Sequence, residues 1–239
     1  MEQRFGIPNP SVLTAPSAAS AARITAFLRS VYACMAVGLT VTASVAFLVA
    51  STPSVVMAIA SNRLLFWGLI IAQFGLVIAI SAKVRSMSPV VATSLFLAYS
   101  ALTGVTMAFV LLAYTGESVA STFVVTAGMF GGMALYGTTT SRSLAGWGQF
   151  LFMGLIGVVL ASVVGIFWHN DALQFVMAFC GVIVFTGLTA YDAQKLKAMA
   201  LALPEGQTGS YAVSGALSLY LDFINLFLML LRLFGDRRR

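Results

Sequence analysis

The chain has 239 residues, of which 60% are hydrophobic and only 8% charged, with a mean hydropathy of +0.98. About a quarter of the residues of a soluble domain are charged, so this composition excludes one. A bilayer crossing takes about 20 apolar residues, which leaves room for six to eight crossings and no separate soluble domain. The net charge of +6 comes from basic residues scattered at the ends of apolar runs. That scatter reads as topology signals and lipid-headgroup contacts and gives no support for nucleic-acid binding.

Residues 1–22 contain Pro8, Pro10, Pro16 and several serines without apolar periodicity, which predicts a flexible tail. Arg23 and Arg29 precede an apolar run at 31–50, too long and too late for a cleaved signal peptide; this is the first span. Thr52-Pro53 and Asn62-Arg63 bracket a short turn. The second span is 64–82, with Trp67 near one interface and Lys83 and Arg85 at its end. Pro89 opens the third span, 90–114, and Gly116-Glu117 is a tight connection. The fourth span, 119–136, contains Gly128-Met-Phe-Gly-Gly132, a small face suited to close helix contact.

A polar turn at 138–143 carries Arg142, and the fifth span lies between Trp147 and Trp168, placed as an aromatic belt would place them. His169-Asn-Asp171 is a polar connector in which the histidine reads as interfacial rather than as a ligand. The sixth span is 173–194, the longest interior connection 198–215, and the last span 217–234. Cys34 and Cys180 fall within apolar runs at no metal or disulfide spacing and read as buried inert thiols. The expected fold is an all-α integral membrane protein, a seven-transmembrane-helix bundle. A flexible cytoplasmic tail (1–22) precedes a single membrane domain (23–235), and a basic tail (236–239) follows it.

With the amino terminus in the cytoplasm, Arg4, Arg23, Arg29, Lys83, Arg85, Arg142, Lys195 and Lys197 all lie inside, and the external connections hold only Arg63. The amino terminus is therefore expected in the cytoplasm. Seven full spans then put Arg232 and the terminal arginines outside; a re-entrant last segment would keep them inside. The last segment is also the most polar, with Asp222, Asn225 and Arg232, so it is expected in the middle of the bundle.

Two aspartates stand in otherwise apolar sequence. Asp192 lies in Gly187-Leu-Thr-Ala-Tyr-Asp-Ala-Gln-Lys195, and Asp222 in Leu219-Tyr-Leu-Asp-Phe-Ile-Asn-Leu-Phe227. A carboxylate inside a membrane is costly and marks a functional site by default. Asp192 is five residues before Lys197 and Asp222 five after Leu217, each about 7–8 Å of helix rise. An antiparallel pair of helices thus brings both acids to one level in the cytoplasmic half. Lys83 can reach a similar depth by snorkelling and is a candidate latch for the pair. Carboxylates a few Å apart in a low dielectric cannot both ionise easily and titrate as a unit. Such a pair suits a pH-sensitive latch, or oxygen ligation of a hard cation such as Ca²⁺, with Asn225 one turn along as a further ligand. In the blander reading, Asp192 ends a helix with Lys195 and Asp222 satisfies an internal hydrogen bond. An intramembrane aspartyl protease is a third reading. It lacks support because Leu219, Tyr220 and Leu221 stand where a glycine-x-glycine turn is needed, and no Pro-Ala-Leu tripeptide occurs.

The segments Thr186-Gly-Leu-Thr-Ala-Tyr-Asp-Ala-Gln-Lys-Leu-Lys197 and Ser218-Leu-Tyr-Leu-Asp-Phe-Ile-Asn-Leu-Phe-Leu228 resemble the signature of the bacterial branch of the transmembrane Bax inhibitor motif family. Ile80-Ser-Ala-Lys83 and Phe130-Gly-Gly-Met-Ala-Leu-Tyr-Gly137 support the match, which covers about residues 25 to 235. The resemblance implies seven helices with the last one central, and a pH-sensitive calcium leak with Asp192 and Asp222 as its sensor. In bacteria it also implies, for some members, a link to a membrane-bound protease. This chain departs from the pattern at Lys83, where an arginine is usual, and at Gln73 and Ser143, where acidic residues are frequent. The expected function is an inner-membrane calcium leak that is not an enzyme and needs no cofactor, with the bilayer and calcium ions as its partners. The competing reading is a regulator, itself non-transporting, that binds a membrane protease or another integral partner.

Overall fold

The computed structural model describes residues 18–84, 86–168, 170–203 and 208–238. Among them run α1 (Ala18–Ala50), α2 (Pro53–Ser61), α3 (Arg63–Lys83), α4 (Pro89–Ala113), α5 (Gly116–Thr139), α6 (Ala145–Phe167), α7 (Asp171–Ala202) and α8 (Thr208–Phe234). All except α2 are long and apolar enough to cross a membrane. Expectations for the first 17 residues and for Arg85, His169, Pro204, Gly206 and Arg239 lie outside the described residues.

Helix starts follow from side chains that cap unpaired backbone donors. Asn62 Oδ1 accepts from the backbone N–H of Leu64 and Leu65, both at 3.1 Å. Ser88 Oγ accepts from Val91 N, with Pro89 in the first turn where its missing N–H costs nothing. Thr115 accepts from Ser118 N, and Asn170 from Ala172 N and Leu173 N.

Several boundaries differ from expectation. Ala18 to Ala22 are helical, because an alanine-rich stretch is good helix former and simply extends α1 toward the tail. The expected turn after α1 is the nine-residue helix α2, opened by Pro53. The expected long connection at 198–215 shrinks, because α7 continues to Ala202 and α8 already begins at Thr208. Gly209 and Gly215, which read as loop residues, are close-approach positions: a Cβ would meet the Pro89 ring at 2.8 Å and Leu196 at 2.5 Å. Cys180 is exposed on the bundle surface and Cys34 is half-buried, so neither is a fully buried thiol. Their positions in the apolar pattern could not show which helical face turns outward.

Lipid tails are as apolar as leucine, so helices in a bilayer associate through close packing and hydrogen bonds rather than water expulsion. Small residues set those contacts. A Cβ at Gly38 of α1 would sit 2.5 Å from the Phe96 ring of α4, and one at Gly104 of α4 would lie 2.7 Å from Thr42 O. Gly137 of α5 abuts the Ala190 backbone of α7. By contrast Gly128, Gly131 and Gly132 meet nothing within 4 Å, so the expected close face at Gly128–Gly132 points outward. The inward face of α5 is Thr122, Thr126, Phe130, Ala134 and Gly137.

The last helix is central. In α8, 56% of the apolar window is buried, against at most 39% in any other span, and α8 packs on α1, α4, α5 and α7. Its 27 residues form one unbroken helix that rises about 40 Å, enough to cross the roughly 30 Å hydrocarbon core, with no re-entrant turn in it. Its end docks on the α4–α5 connection. Thr115 N donates to Asp236 O at 3.0 Å, Arg238 N to Ala113 O at 3.0 Å and Asp236 N to Ser118 Oγ at 2.9 Å. The Arg237 guanidinium lies 5.9 Å from the centre of the Tyr114 ring. The residues following α8 are thus tied to the end of the bundle opposite the start of α1. At the other end, Arg23 Nη2 donates to Leu203 O, Lys197 Nζ to Thr138 O, and Ser210 Oγ to Met87 O.

Candidate functional site

α7 and α8 pack antiparallel, each carrying one aspartate. Asp192 stands about 15 Å of helix rise before the end of α7, and Asp222 about 21 Å after the start of α8. The pair therefore lies deeper than the expected helix ends implied, close to the middle of α8, because both helices run on past those ends.

Both acids line one cavity of about 550 Å³ between α6, α7 and α8. Lys195, Tyr191, Gln149, Ser218 and Asn225 supply its other polar groups, and Phe152, Leu155, Phe185 and Leu188 its apolar wall. A smaller cavity of about 70 Å³ adjoins it along Asp192, Lys195, Ser214 and Ser218. Asp222 is only 5% exposed, and its Oδ2 has no hydrogen-bond partner. Asp192 is half-buried. The charge of Asp192 acts on Asp222, and that of Lys195 on Asp192. A buried ionised carboxylate with no donor is costly. The arrangement therefore calls for a proton shared between the two acids, or for a cation between them.

Asn225 Nδ2 donates to Leu221 O at 2.8 Å, so its amide oxygen is the atom left for the cavity. Among the described residues no three His, Cys, Asp or Glu side chains gather. A cation here would have two carboxylates, the Asn225 amide oxygen and water as ligands.

The structure does not bring Lys83 to the pair. Lys83 is exposed at the end of α3 and does not line the cavity. The nearby cation is Lys195, three residues from Asp192 and on the same helical face, a spacing that the sequence carried. Gln73 is occupied with a 3.3 Å bond from its Nε2 to Leu102 O. Ser143 Oγ accepts from Ala145 N. Gln194, within the first aspartate motif, ties down the α5–α6 turn: its Oε1 accepts from Leu144 N at 2.7 Å and its Nε2 donates to Arg142 O at 2.9 Å. Gln149 reaches the cavity from α6, and nothing in the local sequence of α6 marks it.

Three glycines let α6 lie against α7. A Cβ at Gly148 would strike the Tyr191 ring at 2.5 Å, one at Gly154 would strike Val184 at 2.8 Å, and one at Gly187 would strike Leu151 at 2.6 Å. These notches keep the Tyr191 ring at the cavity mouth and hold α6 as its outer wall.

Residues 24–239 match the family described as inhibitor of apoptosis-promoting Bax1. The chain belongs to this Bax inhibitor family. It is similar to inner membrane protein YbhL of Escherichia coli K12, 53% identical over 215 residues that cover 89% of this chain and 92% of that protein. An uncharacterised protein of Borreliella burgdorferi is 44% identical over 214 residues, covering 89% and 92% of the two chains. One from Caulobacter vibrioides is 41% identical over 223 residues, covering 89% of each. Seven apolar helices and this kinship make the chain a multi-pass inner-membrane protein of the Bax inhibitor family.

Proposed function

We propose that this Bax inhibitor family protein is a pH-sensitive calcium leak of the inner membrane, gated by Asp192 and Asp222, and that it is not an enzyme and needs no cofactor. The observation that carries the reading is the meeting of both carboxylates and Asn225 on one cavity in mid-bundle, with an Asp222 oxygen that no protein donor satisfies. Proton and Ca²⁺ are the two occupants that such a pair accommodates, and exchange between them would make ion passage depend on pH. Leu219, Tyr220 and Leu221 before Asp222 are helical, so the glycine turn at which an aspartyl protease would admit a substrate backbone is replaced by bulky helix, which supports the non-enzymatic reading.

The amino terminus belongs in the cytoplasm. The bundle end shared by the start of α1 carries Arg23, Arg29, Lys83, Arg142, Lys195 and Lys197. Among the described residues the opposite end carries Arg63, Arg232, Arg237 and Arg238. This is the positive-inside asymmetry.

The test is Ca²⁺ entry into proteoliposomes at pH 6, 7 and 8. Wild type should show flux that varies with pH, and Asp192→Asn and Asp222→Asn should flatten the variation. Flux no greater than that of empty liposomes at every pH would overturn the leak. The outward Gly128–Gly132 face favours a second reading, a non-transporting regulator whose α5 packs on a membrane protease or another integral partner. In that case the pure protein would carry no flux, and Gly128→Leu would abolish a partner-dependent phenotype.

A further inference from the structure

We propose that the cavity between α6, α7 and α8 is a binding site for a small amphiphilic primary amine, whose ammonium sits at Asp192 and Asp222 and whose apolar body lies along α6. The inference rests on the reading of the acid pair as a cation site, and names a second class of ligand for it.

Size is the first argument. A calcium ion takes six to eight oxygen ligands. Even with five of these supplied by water at roughly 30 Å³ each, the assembly would take less than half of the 550 Å³ cavity. That volume falls in the range of small-molecule sites, about 300–1,000 Å³. The lining is the second argument. Asp192, Asp222, Ser218 and Asn225 supply the oxygens, whereas Phe152, Leu155, Phe185 and Leu188 form an apolar wall that an ion and its waters do not use. Apolar walls with a few convergent polar groups are the usual design of a site for an organic ligand.

Charge is the third. With a shared proton the acid pair is balanced by the single cation Lys195; an ammonium that displaces this proton meets two carboxylates, an arrangement that suits a cation and rejects an anion. A primary ammonium has three donors, enough to reach Asp222 Oδ2, which lacks one, together with Asp192 and the Asn225 amide oxygen. A quaternary ammonium has no N–H to give. The outer wall, α6, packs chiefly on α7, and Gln149 and Phe152 of that wall are exposed, so an apolar body can be admitted from the lipid side.

The experiment uses the full chain in phosphatidylcholine nanodiscs, which contain no primary amine, with thermal unfolding followed against added n-hexylamine. Hexylamine should raise the melting temperature in a saturable way, while hexanol and hexyltrimethylammonium should not. Asp222→Asn should weaken the apparent affinity by roughly tenfold or more, the scale of a lost charge-assisted hydrogen bond. Leu155→Trp, which fills the apolar part and leaves the acids intact, should lose the hexylamine response but keep protection by Ca²⁺. Ca²⁺ protection without any hexylamine response in wild type would overturn this inference and leave the leak reading standing. Absence of both would count against the two together. An equal hexylamine effect in wild type and both variants would mean partition into lipid and would also overturn it.

Discussion

Tyr220 is fully enclosed, and its hydroxyl lies 2.6 Å from Thr42 Oγ1, which in turn bonds to Ser100 O at 2.9 Å. Thr42 Oγ1 also lies 3.0 Å from Gly38 O; carbonyls only accept, so the single Thr42 proton goes to Gly38 O or Ser100 O and Tyr220 donates to Thr42. Thr42→Val keeps the shape and strands the tyrosine hydroxyl. It should cost about 1 kcal/mol or somewhat more, seen as a lower unfolding temperature in detergent. Tyr220→Phe in the Thr42→Val background should then cost little more, because the stranded group has gone. Tyr220 and Asp222 lie on opposite faces of α8, so this chain of hydroxyls fixes the rotation at which Asp222 meets the cavity. The aspartate pair was legible in the sequence because a charge in an apolar helix has no ordinary explanation. Its cation was less so. Lys83 and Lys195 are both close enough in the linear pattern, and only the packing of α3 away from the cavity decides for Lys195.

At the scale of the helix, the same glycine letter means opposite things according to the face it occupies. Gly137 abuts the backbone of Ala190, which cannot yield as a side chain would, whereas Gly128 has open space around it. Gly137→Ala should therefore destabilise by roughly 1–3 kcal/mol, the range for overpacking. Gly128→Ala should be neutral or slightly stabilising from helix propensity. Unfolding curves of the two variants side by side check this; equal losses would refute the assignment of faces. The spans themselves were legible from hydropathy alone. Their inward faces were not, because a helix that is apolar all round carries no stripe to mark the side that meets protein. For the same reason the helix ends at 198–215 were misplaced: two glycines that allow close approach look the same in sequence as two that break a helix.

For the whole molecule, seven crossings place the α5–α6 turn and the residues after α8 on opposite sides. With Cys34 and Cys180 replaced, Ser141→Cys and Asp236→Cys should label from opposite sides with a membrane-impermeant maleimide. On the proposed orientation, only Asp236→Cys reacts from outside in spheroplasts. Labelling of both from one side would contradict seven full spans.

The central position of α8 also bears on how the protein is made. The helix that most of the others pack around leaves the ribosome after all of them. Until then α1, α4, α5 and α7 lack their shared partner, and the buried hydroxyl of Thr42 lacks Tyr220. A chain that stalls before residue 208 would keep the α1–α4 and α5–α7 pairings but lack the helix between them, with their inner faces open to membrane proteases. Emergence of α8 and of the residues after it, with Asp236 and Arg238 tied to the α4–α5 connection, is what completes the bundle.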